Sequence, residues 1–253
     1  MAYRGIFSLS DIISKAVKGT GQPVGDVFIQ APTSSVNPFG YFSAGWDTVG
    51  STPSDYLSST LKMTFSTDAY SALPTSANLS SDRYGFQAAS SDTTHYVSAG
   101  YVGTASAYLS STEKITFATE TREAVPAGNQ AASHWLSTGA VSTTSIAYFM
   151  GGYNASQTPS LYSYANKFTF SNETMSEIPG AGFPASGRTG FAMSGNSTAG
   201  YASAGVGDPW GNITITDKLT FSSDSTARVP AADTLAETNY CESVGNGTQM
   251  YMT

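Results

Sequence analysis

One stretch is written four times in this chain, and it limits the folds open to it. Lys114-Ile115-Thr116-Phe117-Ala118-Thr119-Glu120 is followed at Val125-Pro126. Its siblings are Lys62-Met63-Thr64-Phe65-Ser66-Thr67-Asp68 with Leu73-Pro74, Lys167-Phe168-Thr169-Phe170-Ser171-Asn172-Glu173 with Ile178-Pro179, and Lys218-Leu219-Thr220-Phe221-Ser222-Ser223-Asp224 with Val229-Pro230. The lysines stand 52, 53 and 51 residues apart. A period of this size belongs to propellers, solenoids and arrays, in which a unit buries its apolar face only against its neighbours. Within each stretch Met63 and Phe65, or their counterparts, alternate with Lys62 and Thr64. That is period two, the mark of a half-buried strand. The apolar face is expected to pack between adjacent units. The Lys is expected to pair with the acid six residues later, across the turn that ends the strand. An exposed pair of that kind contributes about 0–1 kcal/mol, so the Phe should dominate stability. The closing Pro suits an outer strand, where a missing N–H does little harm.

Two further landmarks recur. The first reads Tyr41-Phe42-Ser43-Ala44-Gly45, Tyr96-Val97-Ser98-Ala99-Gly100, Tyr148-Phe149-Met150-Gly151-Gly152 and Tyr201-Ala202-Ser203-Ala204-Gly205. Small residues at a strand end let backbones approach closely, which suggests a strand near a crowded axis. The second precedes it by about a dozen residues, as in Arg83–Ala88, Trp135–Gly139, Arg188–Met193 and Asn239–Ser243. Each is a short run bounded by turn formers. With the short run before each Pro, this makes four strands per unit. The expected fold is an all-β β-propeller of about 52-residue repeats, with four complete blades and a partial fifth. Tyr251-Met252-Thr253 opens that fifth unit, and the N-terminal segment is expected to complete it, because propellers commonly close by joining the two ends of the chain in one sheet; the alternatives are a neighbouring chain or a longer protein. Residues 1–23 read as a separate leader, with helical spacing over Asp11–Lys18 ended by Gly19 and Gly21-Gln22-Pro23, and residues 24–253 as the propeller. Val24–Gln30 reads as a strand.

Charged residues make up only 11% of the 253-residue chain, and its net charge is -7. Nucleic-acid binding draws on clustered Lys and Arg, so no nucleic-acid partner is expected. No run of about 18 apolar residues occurs, so no membrane insertion by a helix is expected. Cys241 is the single cysteine, which rules out an intrachain disulfide, and it reads as a buried thiol. The only histidines, His95 and His134, occupy different places in the repeat. No P-loop, zinc spacing or Ser-His-Asp elbow is present. No catalytic residue, metal site or cofactor is therefore expected, and the chain reads as a non-enzyme.

The repeat resembles that of kelch-type β-propellers, whose blade carries a strand ending in Gly-Gly. Only Gly151-Gly152 keeps the diglycine; the other units read Ala-Gly at 44–45, 99–100 and 204–205, and the outer-strand Trp is missing. The match is to degenerate relatives. The copper site of galactose oxidase and the Asp boxes of sialidases have no counterpart here. A closer likeness, over residues 40–253, is to repeat proteins of tailed bacteriophages from aquatic environments. It is carried by Gly40–Gly45, Lys62–Asp68 and Arg83–Ala88. That resemblance implies a virion component on a tail, fibre or capsid. It would be anchored to other virion proteins through residues 1–23 and present as a homo-oligomer in the particle.

The loops after the Ala-Gly strands differ most between units: Trp46–Asp55, Tyr101–Ala107, Tyr153–Ser160 and Val206–Asn212. They hold Trp46, Tyr101, Tyr153 and Trp210 beside Asp47, Asn154, Asp208 and Asn212. Aromatic faces flanked by polar groups suit sugars, which stack their apolar ring faces and hydrogen-bond their hydroxyls. The same aromatics would equally cover blade ends or meet a neighbouring subunit. The expected function is host attachment through surface glycan. The alternatives are a capsid decoration protein or an enzyme acting on host polysaccharide.

Overall fold

The computed structural model describes residues 38–47, 55–135, 139–234, 236–237, 241, 243–245 and 248–252. The leader 1–23, its expected helix and the strand expected over Val24–Gln30 lie outside the described residues.

The described chain is a succession of antiparallel sheets. The first has the order β1 (Phe39–Asp47), β2 (Asp55–Thr64), β3 (Ala69–Ala72). In the second unit β4 (Gln87–Ser90) and β5 (Thr94–Ser98) are followed by a small hairpin, β6 (Tyr101–Val102) with β7 (Ala107–Tyr108), and then by β8 (Thr112–Thr116) and β9 (Thr121–Ala124). Its main sheet runs β4-β5-β8-β9. The third sheet is β10 (Ala140–Ser142), β11 (Ile146–Met150), β12 (Ala165–Thr169), β13 (Thr174–Ile178), in that order. The fourth unit contains β14 (Arg188–Thr189), β15 (Ala192–Gly195), β16 (Ala199–Ser203), β17 (Val206–Gly207), β18 (Gly211–Asn212), β19 (Thr216–Thr220) and β20 (Ser225–Arg228). It forms a main sheet β15-β16-β19-β20 and a small sheet β14-β17-β18. A hairpin of β21 (Ser243–Gly245) and β22 (Met250–Met252) ends the described chain. The edge strands β4, β10, β15 and β21 pack beside one another in succession.

The repeated landmarks map onto this plan. In the four-stranded sheets the Lys-x-Thr-Phe stretch forms the third strand and the run before Pro the fourth, and in the first sheet they form β2 and β3, as expected from their periodicity. Each Pro then opens or precedes a single 3-10 turn, at Thr75–Ala77, Pro126–Gly128, Pro179–Ala181 and Pro230–Ala232. Proline suits this place, because the first turn leaves its N–H unpaired in any case. The residue before it still donates to the third strand, Val125 N to Thr112 O (2.9 Å) and Val229 N to Thr216 O (2.9 Å).

In the three four-stranded sheets the Tyr-x-Ser-Ala-Gly run, or its counterpart, lies on the second strand, β5, β11 and β16, and in the first sheet it lies on β1. Its small pair answers a different demand from the one expected. Both residues take positive φ, Ala99 at 62° and Gly100 at 102°, Gly151 at 63° and Gly152 at 119°. This double left-handed step is tolerated best by small residues. It turns the chain out of the main sheet and toward the following unit, where Gly100 N donates to His134 O and Gly152 N to Arg188 O (2.8 Å each). Close approach also applies: a Cβ on Gly151 would meet Arg188 O at 2.4 Å. The Ser of the run is buried against a third-strand Thr, Ser98 with Thr112 (2.7 Å) and Ser203 with Thr216 (2.8 Å).

The core lies between sheets. Tyr41, Leu73 and Leu79 of the first unit pack with Phe86, Val97 and Ile115 of the second. Ala89, Tyr96 and Val125 pack with Ala147, Phe149 and Phe168 of the third. Tyr148, Ala181 and Phe183 pack with Phe191, Met193, Leu219 and Phe221 of the fourth. Each sheet therefore has a tyrosine face and a phenylalanine face, and one always meets the other. Phe117 stacks on Tyr41 (centroids 4.3 Å apart, 10° between planes), Phe170 on Tyr96 (5.3 Å, 19°) and Phe221 on Tyr148 (5.2 Å, 9°).

The expected pairing of each Lys with the acid of its own turn is not what forms. Lys62 pairs with Glu120, Lys114 with Glu173 (2.9 Å) and Lys167 with Asp224 (2.9 Å), in each case one repeat downstream. The reason is the turn. Asp68, Glu120, Glu173 and Asp224 all sit at φ between 48° and 54°. The Lys shares the face of the cross-strand Tyr, Tyr96 opposite Lys114 and Tyr148 opposite Lys167. Tyr96 Oη donates to Glu173 (3.1 Å), and Tyr148 Oη donates to Asp224. Glu173 and Asp224 are thus each held by a Tyr–Lys pair of the preceding unit, and Glu120 by Lys62. Burial, then the charge of Glu120, pushes the Tyr41 phenol up to about 12.

Candidate functional site

The segments after the Ala-Gly steps build a second tier beyond the main sheets. In the first unit β1 and β2 simply continue past Gly45, so that Trp46 pairs with Tyr56 and Asp47 with Asp55. In the second, β6 and β7 form the tier; in the third, Tyr153 bridges Trp135 on one side and Leu161 on the other; in the fourth, β17 and β18 do the same. The tier is tied back to the chain that enters each unit. Tyr84 and Tyr101 exchange backbone hydrogen bonds (3.1 and 2.9 Å), as do Trp135 and Tyr153 (2.9 Å each).

These bridges put aromatic side chains side by side. Tyr84 lies against Tyr101 (5.6 Å between centroids) and Trp135 (5.0 Å). Tyr101 touches Tyr108 (5.2 Å) and Trp135 (5.3 Å), and Trp135 is 6.2 Å from Tyr153. Tyr108 also meets Tyr153 (6.4 Å), and Tyr153 meets Trp210 edge-on at 4.9 Å. Most of these contacts are tilted or edge-to-face, the arrangement aromatic quadrupoles favour. The result is one aromatic ridge, Tyr84–Tyr101–Trp135–Tyr153–Trp210 with Tyr108 alongside, that spans the second to fourth units.

Trp210 ends the ridge and is 56% exposed. It sits in the loop between β17 and β18 at φ 44°, where a bulky L residue is strained. Strain of this kind costs on the order of 1–3 kcal/mol and recurs at functional positions. Neighbouring Gly211 has open space around its Cβ position. The tier segments 101–110, 153–164 and 206–215 contain no Lys or Arg, and Asp82, tied to Thr104 (3.0 Å), adds negative charge beside β6–β7. Burial, and then the neighbouring Tyr108, raises the Tyr153 phenol, so that it is a neutral donor throughout the ordinary pH range.

Of the residues expected at the site, Tyr101, Tyr153 and Trp210 come together in the ridge. Asn212 is exposed on β18, opposite Val206. Asn154 is buried instead: its amide donates to Ser133 O (2.7 Å) and its Oδ1 accepts from Ser156 N (2.9 Å). It shapes the loop that carries Tyr153 and does not face solvent. Trp46 and Asp47 lie at the end of β1, and their side chains are outside the described residues. Tyr84, Tyr108 and Trp135 were missed. Tyr84 and Trp135 occupy matching places ahead of the first strands, which reads from sequence as strand packing. Only the bridges to Tyr101 and Tyr153 reveal that they surface beside the tier.

Buried carboxylates serve structure. Glu113 is held by Arg83 (3.0 Å) and Arg122 (2.8 Å), and Asp217 by Arg188 (2.5 Å). In the third sheet the matching residue is Asn166, which donates to Gln130 (3.2 Å). Among the described residues no group of three or more His, Cys, Asp and Glu could hold a metal ion. No described helix is long and apolar enough to cross a membrane.

No protein-family model and no curated protein matches the sequence. A solved structure described as "Structure of YjhT" is similar, with a TM-score of 0.59 at 13% identity over 72% of this chain. The chain spans 61% of that protein's length. At this identity the likeness concerns the fold alone, an all-β architecture of successive antiparallel sheets.

Proposed function

We propose that this chain is a non-enzymatic adhesion component of a virion whose aromatic ridge binds host-surface glycan, carried on sheets arranged as the blades of a propeller. The successive packing of β4, β10, β15 and β21 supports the propeller arrangement. The virion setting rests on the sequence resemblance over residues 40–253. The observation that carries the glycan reading is Trp210, an exposed ring held at a strained backbone position and continuous with five other aromatic side chains. Sugars stack on such surfaces, and phenol hydroxyls with an exposed Asn212 offer hydrogen bonds to their edges. The absence of Lys and Arg from the tier segments favours neutral glycans over uronic or sialic acids, because an anionic sugar would lack a cationic partner there.

The test is binding of the purified chain to a panel of neutral and acidic host-envelope glycans, with Trp210→Ala and Tyr153→Ala as variants. Neutral glycans are expected to bind and each variant to weaken binding about tenfold or more, with the melting temperature of Trp210→Ala unchanged. Normal binding by both variants would place the site elsewhere. Release of shortened saccharide would establish the hydrolytic alternative.

A further inference from the structure

We propose, building on the glycan reading above, that the ridge is a tract for one extended chain of neutral sugars that touches several of its rings at once. It is neither a pocket for a single sugar nor a platform for a packed polysaccharide face. The rings follow one another in short steps: Tyr84 to Trp135 is 5.0 Å between centroids, Trp135 to Tyr153 6.2 Å and Tyr153 to Trp210 4.9 Å. One pyranose covers one or two of these side chains, and the rest of the ridge lies beyond its edges. A ligand that reaches both Trp210 and Tyr84 is therefore an oligomer.

The angles between the rings exclude a flat platform. Tyr84 and Trp135 stand at 84°, Trp135 and Tyr153 at 48°, and Tyr153 and Trp210 at 81°. A packed polysaccharide presents its sugar faces in one plane, and rings turned this far cannot lie on that plane together. A single chain in solution rotates about its glycosidic bonds, so each sugar turns to meet the ring beneath it. Tyr84, Tyr101, Tyr108, Trp135 and Tyr153 are half-buried and Trp210 is exposed, so each leaves part of its surface to the ligand.

The tract is held in place by the fold. The backbone pairs of Tyr84 with Tyr101 and of Trp135 with Tyr153 tie the ridge to the strands on either side. Tyr108 Oη accepts from Ala155 N (3.3 Å), and the Asn154 amide donates to Ser133 O (2.7 Å). Both bonds hold the loop that carries Tyr153. A preorganised surface loses little freedom on binding, and the cost of immobilising the ligand as a body is met once, whatever its length. Each further sugar that finds a ring adds contact without incurring that cost again. Affinity therefore grows with chain length until the ridge is covered.

Isothermal titration calorimetry of the full chain tests this, with size-fractionated fragments of the neutral envelope glycan that binds best in the panel above. Affinity is expected to rise roughly tenfold or more between one sugar and about four, and then to level off. Short fragments are expected to sit at Trp210, the most exposed ring of the ridge. Tyr84→Ala, at the other end, is then expected to weaken hexasaccharide binding about fivefold or more and disaccharide binding less. Melting curves check that the variant folds, and Tyr101→Ala replaces it should it unfold. The soluble hexasaccharide is also expected to release the chain from the same glycan packed into insoluble particles. A monosaccharide bound as tightly as the hexasaccharide overturns the proposal and leaves the glycan reading standing. So does an equal loss at both lengths in a folded variant, or retention on the particles against the hexasaccharide. Absence of binding at every length overturns both.

Discussion

The four repeated phenylalanines are chemically identical and structurally unequal. Phe65 is 40% exposed, Phe117 and Phe170 are half-buried on tyrosine rings, and Phe221 is buried. Full burial falls two residues earlier, on Ile115, Phe168 and Leu219, which sit mid-strand between two sheets. Burial of this degree leaves a cavity on truncation. Phe168→Ala should lose about 3–5 kcal/mol in a urea melt, and Phe65→Ala about 1–2 kcal/mol, since it is 40% exposed and gives up less buried area. A larger loss at Phe65 would mean that its face is covered in solution. The two histidines set an acid limit. Burial lowers both His95 and His134 to about 4, from an ordinary value of 6.5. The unfolded chain takes up their protons first, so their contribution is whole above pH 6.5 and drains away as pH falls toward 4. The slope is up to about 1.4 kcal/mol per pH unit for each group. Stability curves measured across that window should steepen accordingly, and His95→Gln should flatten part of the slope.

At the scale of the element, two kinds of ion pair recur and differ in worth. Arg188 and Asp217 are each 2% exposed, and Arg188 also lies 4.4 Å from the Phe183 ring. Burial raises the Asp217 carboxyl despite the guanidinium beside it, so this pair leaves little margin. Arg188→Met strands that carboxylate and should cost about 3–5 kcal/mol. Lys167, in a more exposed clasp with Asp224, should cost under about 1 kcal/mol on change to Met. Equal losses in chemical denaturation would show the clasp to be more shielded than its exposure implies. The strands themselves were legible from the period-two runs and the recurring Pro, because both follow from backbone chemistry that acts within a few residues. The clasp was not. Glu120 lies six residues from Lys114 and Glu173 fifty-nine, and nothing in the sequence says that a left-handed turn aims each acid at the unit before it. The ridge was half legible for a similar reason: Tyr101, Tyr153 and Trp210 sit in the variable loops, whereas Tyr84 and Trp135 reach the same surface from strand-like runs.

At the scale of the whole molecule, the sheets have no private cores. Every apolar cluster draws on two successive units, so stability is a sum of unit and interface contributions, as in other repeat proteins. Regular spacing in the sequence predicted this much. Whether the successive sheets close into a ring is not encoded by any pattern within a unit.

Each of these clusters is halved when one of its two sheets is lost, so the chain is hard to shorten from either end. Cutting after Thr189 removes the last main sheet and leaves Val141, Tyr148, Met150 and Phe183 without Phe191, Leu219 and Phe221. Cutting before Leu79 removes the first sheet and leaves Phe86, Val97 and Ile115 without Tyr41 and Leu73. Fragments trimmed at either point should therefore precipitate more readily than the full chain, or need detergent. Comparing the soluble yield of both fragments after refolding with that of the full chain checks it, and two freely soluble fragments would show that the uncovered half-clusters close over themselves.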